Sequence, residues 1–173
     1  KYQGGQRPPL TLIGPRGTAT MMRAMMTTFP SFDRPPFRVT IREVSDRSFR
    51  LGDTRIRPAT VKHAPRLHCV GYRIEYQDHV VAYSGDSLYC DSLVKLCRDA
   101  DVAILDCSFP ENEPGAGHLH AGECGRVAQE AGIDRLVLSH FYPIAEQYDV
   151  RAQAASYFSG RVRMAKDLLL VTG

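Results

Sequence analysis

Four apolar runs in this chain each lead into a side chain that can bind a metal or move a proton. Val61 leads to His63, and Val80 to Tyr83 lead through Ser84-Gly85 to Asp86. Val102-Ala103-Ile104-Leu105 runs into Asp106, and Leu136-Val137-Leu138-Ser139 into His140. Short apolar runs bounded by Gly, Pro and charged residues predict strands. Strand ends on one edge of a sheet are where a rigid scaffold presents ligands and catalytic groups. Taken singly, a strand-end His is more often structural, and a strand-end Asp before a helix is more often an N-cap. Four together point to a site, and imidazole with carboxylate suits zinc, manganese or iron.

The remaining composition narrows the setting. The 173 residues are 43% apolar and 24% charged, which fits one soluble domain spanning 1–173. A domain of this size buries roughly 70% of its unfolded surface and needs no disulfide staple. No apolar run approaches the ~20 residues of a membrane span, so no membrane partner is expected. Five cysteines lack Cys-x-x-Cys spacing. Cys69, Cys97 and Cys107 lie in or beside apolar runs and read as buried reduced thiols, which suggests a cytoplasmic protein. The net charge of +3 is too small to argue for nucleic acid. Arginines do cluster between Arg34 and Arg73, either as a solvated basic face or for a phosphate-bearing substrate.

Prolines punctuate the first forty residues, and a strand over 10–13 and a helix over 18–29 lie between them. Met21, Met22, Met25 and Met26 share one face of that helix, expected to be core, with a homodimer interface as the alternative. Strands follow over 37–44, 47–51 and 55–62. Residues 71–76 and 79–84 form a hairpin about Gln77-Asp78. Helices are expected over 88–99, over 121–131 with Gly132 as its stop, and over 150–158. The last strand pieces fall at 162–165 and 168–171. Strands with late helices predict an α/β layered domain.

Two loop features bear on the site. Gly85 beside Asp86 allows a sharp turn and leaves space next to a metal. Gly117-His118-Leu119-His120 follows a Pro/Gly-rich loop, and a loop His just before a helix is placed for proton transfer. His68 and His79 are read as structural or surface residues.

Several strings taken in order resemble the metallo-β-lactamase superfamily, and within it the ribonuclease Z-like hydrolases. They are Pro9-Leu10-Thr11-Leu12-Ile13-Gly14-Pro15-Arg16-Gly17, Lys62-His63-Ala64-Pro65, Gly71-Tyr72-Arg73-Ile74 and Tyr83-Ser84-Gly85-Asp86-Ser87. Ala103-Ile104-Leu105-Asp106-Cys107-Ser108-Phe109, Gly117-His118-Leu119 and Ser139-His140-Phe141-Tyr142-Pro143 complete the set. The resemblance covers nearly the whole chain and implies an αββα sandwich with a two-metal site along one sheet edge. It implies His63, Asp86 and His140 as metal ligands, with Asp86 bridging two divalent ions, zinc first and manganese or iron as alternatives. It implies His118 as the loop histidine that assists the leaving group or steadies the transition state, and Asp106 as an acidic residue orienting a neighbour. It implies metal-assisted hydrolysis with attack at phosphorus or a carbonyl carbon, and a small phosphodiester or related compound is the expected substrate.

Two departures accompany it. The family's His-x-His-x-Asp-His motif is absent from these residues, and in the family it lies upstream of the first strand. The chain is therefore expected to be the C-terminal portion of a metallo-β-lactamase-like domain whose N-terminal strands are not included. A degenerate or truncated non-catalytic domain is the alternative. The tight hairpin after Ile74 leaves no room for the arm of transfer-RNA processing enzymes, and Phe141-Tyr142-Pro143 differs from their Ser-Pro-Arg pattern. An RNA endonuclease, with RNA as partner, therefore stands as the alternative activity.

Overall fold

The computed structural model describes residues 8–29, 37–113 and 115–171. Within them the chain divides into two compact units, residues 1–45 and residues 46–173. In the first, β1 (Leu10–Pro15) pairs in parallel with β2 (Val39–Val44), and α1 (Thr18–Thr28) lies between them in sequence. Gly17 stands at the start of α1 in the left-handed region, φ 103°, and offers no side-chain cap. Glu43 of β2 fills that role: its Oε1 accepts from Gly17 N at 2.9 Å and Ala19 N at 3.0 Å. Those two bonds to otherwise orphaned N–H groups hold the Glu43 carboxyl below its usual range.

The methionine face is a correction. No residue of α1 is buried, and Met21 is 55% exposed, so among the described residues the expected core face is not found buried. Helical spacing reports which residues share a face, not what covers it. The basic residue Arg34 and the prolines of 30–36 lie outside the described residues.

The second unit carries a seven-stranded sheet in sequence order: β3 (Phe49–Leu51), β4 (Thr54–Val61), β5 (Cys69–Tyr76), β6 (His79–Tyr83), β7 (Val102–Asp106), β8 (Arg135–Ser139) and β9 (Arg161–Met164). β3 to β6 form an antiparallel meander, and β6 to β9 run parallel. The expected hairpin turns at Gln77-Asp78. Since β4 and β6 both oppose β5, the strands β4, β6, β7 and β8 all point the same way. Their C-terminal ends therefore share one edge of the sheet, as the strand-end pattern requires.

Helices cover one face. α2 (Asp91–Cys97), α3 (Ala121–Ala131) and α4 (Val150–Ala155) pack Leu93, Leu96, Cys97, Val127, Ala128 and Ala154 against it. The sheet answers with Ala82, Ala103 and Leu136 side by side in register, then Leu105 beside Leu138. Truncating such a buried leucine to alanine costs about 2–5 kcal/mol. α3 matches its expected bounds, closed by Gly132 at φ 64° and by a capping box between His120 and Glu123. α2 and α4 are shorter than expected. Residues 168–171 are not a strand: Leu168 is 96% exposed, and among the described residues the run pairs with no other strand. All five cysteines are free thiols; four are buried and Cys69 is half-buried. Burial pushes the Cys97 thiol up to about 12.

Arg73 of β5 ties the sheet to α2. Its Nη1 donates to the carbonyls of Leu96 (3.2 Å) and Arg98 (2.6 Å) at the helix C-terminus, where cations are favoured. Its Nε donates to Glu75 at 2.9 Å, and Arg57 Nη2 reaches the same carboxylate at 2.6 Å. Burial opposes the charge on Glu75, but the hydrogen bonds from Arg73 and Arg57 outweigh it and hold its carboxyl below the usual range. The arginine cluster on these strands is thus largely engaged within the protein. A depressed native carboxylate stabilises above its ordinary pKa of ~4.3, and that stabilisation is lost as pH falls through the native value. Glu75→Gln should therefore lower stability at pH 7 by about 1 kcal/mol, a modest figure because Arg57 is solvent-screened. In urea denaturation at several pH values, the difference from wild type should vanish in acid.

Candidate metal centre

His63, Asp86, Asp106 and His140 leave the sheet from β4, β6, β7 and β8 at one edge, and the loop after β7 returns His118 to the same place. Two backbone bonds fold that loop back: Ser108 N donates to Leu119 O at 3.1 Å, and Ala121 N donates to Phe109 O at 3.0 Å. His118 is consequently buried, 8% exposed, rather than a surface loop histidine. Asp86, Asp106, His118 and His140 each bring one ligand-type atom within 4.8 Å of the others. His63 Nε2 lies 4.0 Å from Asp86 Oδ2, so the structure brings together all five residues named from the sequence.

Hydrogen bonds set which atom of each ring faces the centre. His63 Nδ1 lies 2.7 Å from Gly117 O. A carbonyl only accepts, so Nδ1 carries the proton and Nε2 presents a lone pair toward Asp86. Gly117, at φ 88°, allows this approach, since a Cβ there would sit 3.2 Å from His63 Nδ1. His140 Nε2 lies 3.6 Å from Asp86 Oδ1 on the other side. Its Nδ1 is 2.8 Å from Ser108 Oγ, whose own hydrogen is directed to Asp106 Oδ1 at 2.6 Å. Ser108 therefore accepts from His140 Nδ1, and the His140 Nε2 lone pair also faces Asp86. The ring is held by a left-handed backbone, φ 61°, an uncommon conformation for a residue with a side chain.

Asp106 has a different character. Its side chain is 1% exposed, and its oxygens are already engaged by Ser108, by Ser87 N at 3.1 Å and by His118 Nδ1 at 2.7 Å. Its oxygens are thus occupied by partners within the protein. The carboxylate can only accept, so it fixes the proton of His118 on Nδ1 and leaves Nε2 outermost. Asp86, by contrast, has a side chain 45% exposed, standing between the Nε2 atoms of His63 and His140. Gly85 supplies the turn before it at φ 61°. Two imidazole lone pairs converging on one open carboxylate are a donor set that fits a divalent cation of the zinc type.

His68 and His79 take no part: His68 Nε2 bonds Thr60 Oγ1 at 3.0 Å, and His79 lies near Asp101 at the far edge. A shallow depression lined by Arg50, Asp53, Arg55 and Glu75 also lies at that far edge, away from these groups. Sequence reasoning gave no role to Ser84, whose Oγ accepts from Asp106 N at 2.9 Å, nor to Ser108. Both come just after an apolar strand and have no pattern of their own, and only their contacts single them out.

The sheet edge carries imidazoles and carboxylates, with helices behind the sheet, and comparison with known proteins identifies the family to which this arrangement belongs. Residues 3–141 match the family model described as the beta-lactamase superfamily domain. The chain belongs to the metallo-β-lactamase superfamily. It is 36% identical over 114 residues to a Bacillus subtilis protein named "Probable metallo-hydrolase YhfI", covering 63% of this chain and 47% of that protein. It is 30% identical to Ribonuclease Z of Mycobacterium sp. (strain KMS), covering 92% of this chain and 65% of that protein. The crystal structure of YhfI, a metallo-beta-lactamase fold protein from Bacillus subtilis, superposes with a TM-score of 0.77 at 27% identity, covering 91% of this chain and 63% of that chain. Human tRNase Z, short form, shares the fold with a TM-score of 0.71 at 19% identity, covering 95% of this chain and 66% of that chain. The expected α/β metallo-β-lactamase-like class is thereby shown, and the chain spans between about half and two thirds of these relatives. No described helix is long and apolar enough to cross a membrane.

Ser108→Ala removes the acceptor of His140 Nδ1 and one donor to Asp106. Metal affinity, measured by competition with a chromogenic chelator, should fall about 10- to 100-fold. Thermal denaturation should show a loss of about 1–3 kcal/mol.

Proposed function

We propose that the protein is a metal-dependent hydrolase of phosphodiesters, in which His63, Asp86 and His140 hold divalent cations and His118 handles the leaving-group proton. The observation that carries this is the convergence of the His63 and His140 Nε2 atoms on Asp86, with His118 anchored beside them by Asp106. Two cations are inferred, zinc first with manganese or iron as alternatives; they supply Lewis-acid activation of a water and of the scissile group. We also propose that these residues form the C-terminal portion of a metallo-β-lactamase-like domain. Their share of the relatives' length, and the absence of a His-x-His-x-Asp-His run from the 173 residues, support this. The five free thiols favour a cytoplasmic location.

The chain's own residues do the positioning. Asp86 lies between the two imidazoles and orients what they hold. Asp106 locks the His118 ring through Nδ1, so Nε2 is the nitrogen left for proton transfer. Water oxygen adds to phosphorus and the bond from phosphorus to the leaving oxygen breaks. The leaving oxygen keeps the electron pair and takes the proton from Nε2 of the doubly protonated His118 ring. The water's own proton passes to solvent.

A second reading, an RNA endonuclease, is supported by the similarity to ribonuclease Z over 92% of the chain. The β5–β6 connection, a two-residue turn at Gln77-Asp78, gives it no RNA-binding arm at that place. The small phosphodiester is therefore favoured.

The full-length protein should hydrolyse bis(4-nitrophenyl) phosphate in zinc or manganese. Asp86→Ala should abolish turnover and lower bound metal measured by plasma mass spectrometry. His118→Ala should lower kcat about 10²- to 10⁴-fold while metal content stays unchanged. An Asp86→Ala variant that keeps the wild-type rate would sink the proposal. Steeply salt-dependent RNA binding would favour the endonuclease instead.

A further inference from the structure

Tyr142 belongs to the string that departs from the transfer-RNA enzyme pattern, and nothing in the chemistry above uses it. Its hydroxyl lies 3.4 Å from His118 Nε2, the nitrogen left outermost once Asp106 has taken Nδ1. Its ring centroid lies 5.3 Å from that of His118, 5.7 Å from that of His140 and 5.1 Å from that of Phe109. Phe109 in turn lies 6.2 Å from His118. These separations are those of offset or edge-to-face aromatic contacts.

The pair is held from behind. Tyr142 N donates to Ser108 O at 3.2 Å, which locks its backbone to the end of β7. Gly115 lies so close to the Phe109 ring that a Cβ there would collide with it, so that side of Phe109 is closed. Yet Tyr142 remains 40% exposed, a large share for a ring packed among three others. A fixed aromatic surface thus borders the nitrogen that faces the leaving group, and it is open to a ligand. A preorganised ring offers contact area at little entropic cost.

We propose that Tyr142 determines leaving-group specificity, its ring forming with Phe109 a wall beside His118 Nε2 that selects substrates with a planar aromatic leaving group. The proposal rests on the hydrolase reading for its assignment of the leaving-group side. The ring supplies the selection by stacking. The hydroxyl positions His118 through Nε2 and has no part in the selection.

Binding of two non-hydrolysable probes, phenylphosphonate and methylphosphonate, tests the wall without turnover. Calorimetry on the zinc-loaded full-length protein should show tighter binding of the phenyl probe. Tyr142→Leu, similar in bulk but not aromatic, should reduce that preference roughly three- to tenfold. Tyr142→Phe, which keeps the ring, should preserve it, and with bis(4-nitrophenyl) phosphate should lower kcat more than it changes KM. A wild-type protein that binds neither probe, or binds both equally, overturns the proposal, as does an unchanged preference in Tyr142→Leu. Should Tyr142→Leu fail to fold, loss of the preference in Tyr142→Phe would overturn it equally. Failure of the hydrolase reading shows separately, as turnover that is absent or is retained by Asp86→Ala.

Discussion

A carboxylate withdrawn from water is destabilising unless its oxygens find donors. Asp106 meets that condition with a backbone N–H from Ser87, the hydroxyl of Ser108 and the ring of His118. Each donor belongs to a different part of the edge: the loop after β6, the loop after β7 and the segment leading to α3. Through Ser108 the same carboxylate reaches His140 after β8. One buried charge therefore couples three of the loops that carry the candidate chemistry. Its own position is set by β7, flanked on both sides by parallel strands and backed by the helices.

The division of labour between the two acids follows from burial. Asp106 is saturated and inward, so it organises; Asp86 is open and faces two bare imidazole nitrogens, so it can coordinate. Both follow short apolar strands, and strand-end position alone does not tell them apart. The left-handed turn at Gly85 carries the chain past the end of β6 before Asp86, whereas Asp106 is itself the last residue of β7. That small difference in chain path leaves Asp106 enclosed and Asp86 open.

Much of this was legible in the sequence. The strand ends at His63, Asp86, Asp106 and His140 were visible because apolar runs with polar termini mark them. The Gln77-Asp78 hairpin and the α3 stop at Gly132 were visible because turns and caps have local chemistry. That the methionine face lies unburied was not, because periodicity names a face without its covering. The apolar run 168–171 misled for a related reason: strand-forming composition needs a partner strand, and partners are set by topology. Ser108 was invisible because a serine after a strand has no pattern of its own. Its importance comes from two neighbours far apart in sequence that meet only in the fold.

The two edges of the large sheet are built differently. Tight connections, Gly52-Asp53 between β3 and β4 and Gln77-Asp78 between β5 and β6, lie at the edge away from the candidate site. The connections at the site edge, after β4, β6, β7 and β8, are all longer. Strand pairing and helix packing are thus secured independently of the loops that shape the ligand environment. Such a scaffold is evolvable on one side: loops there can lengthen, shorten or change composition while the registry beneath them stays intact.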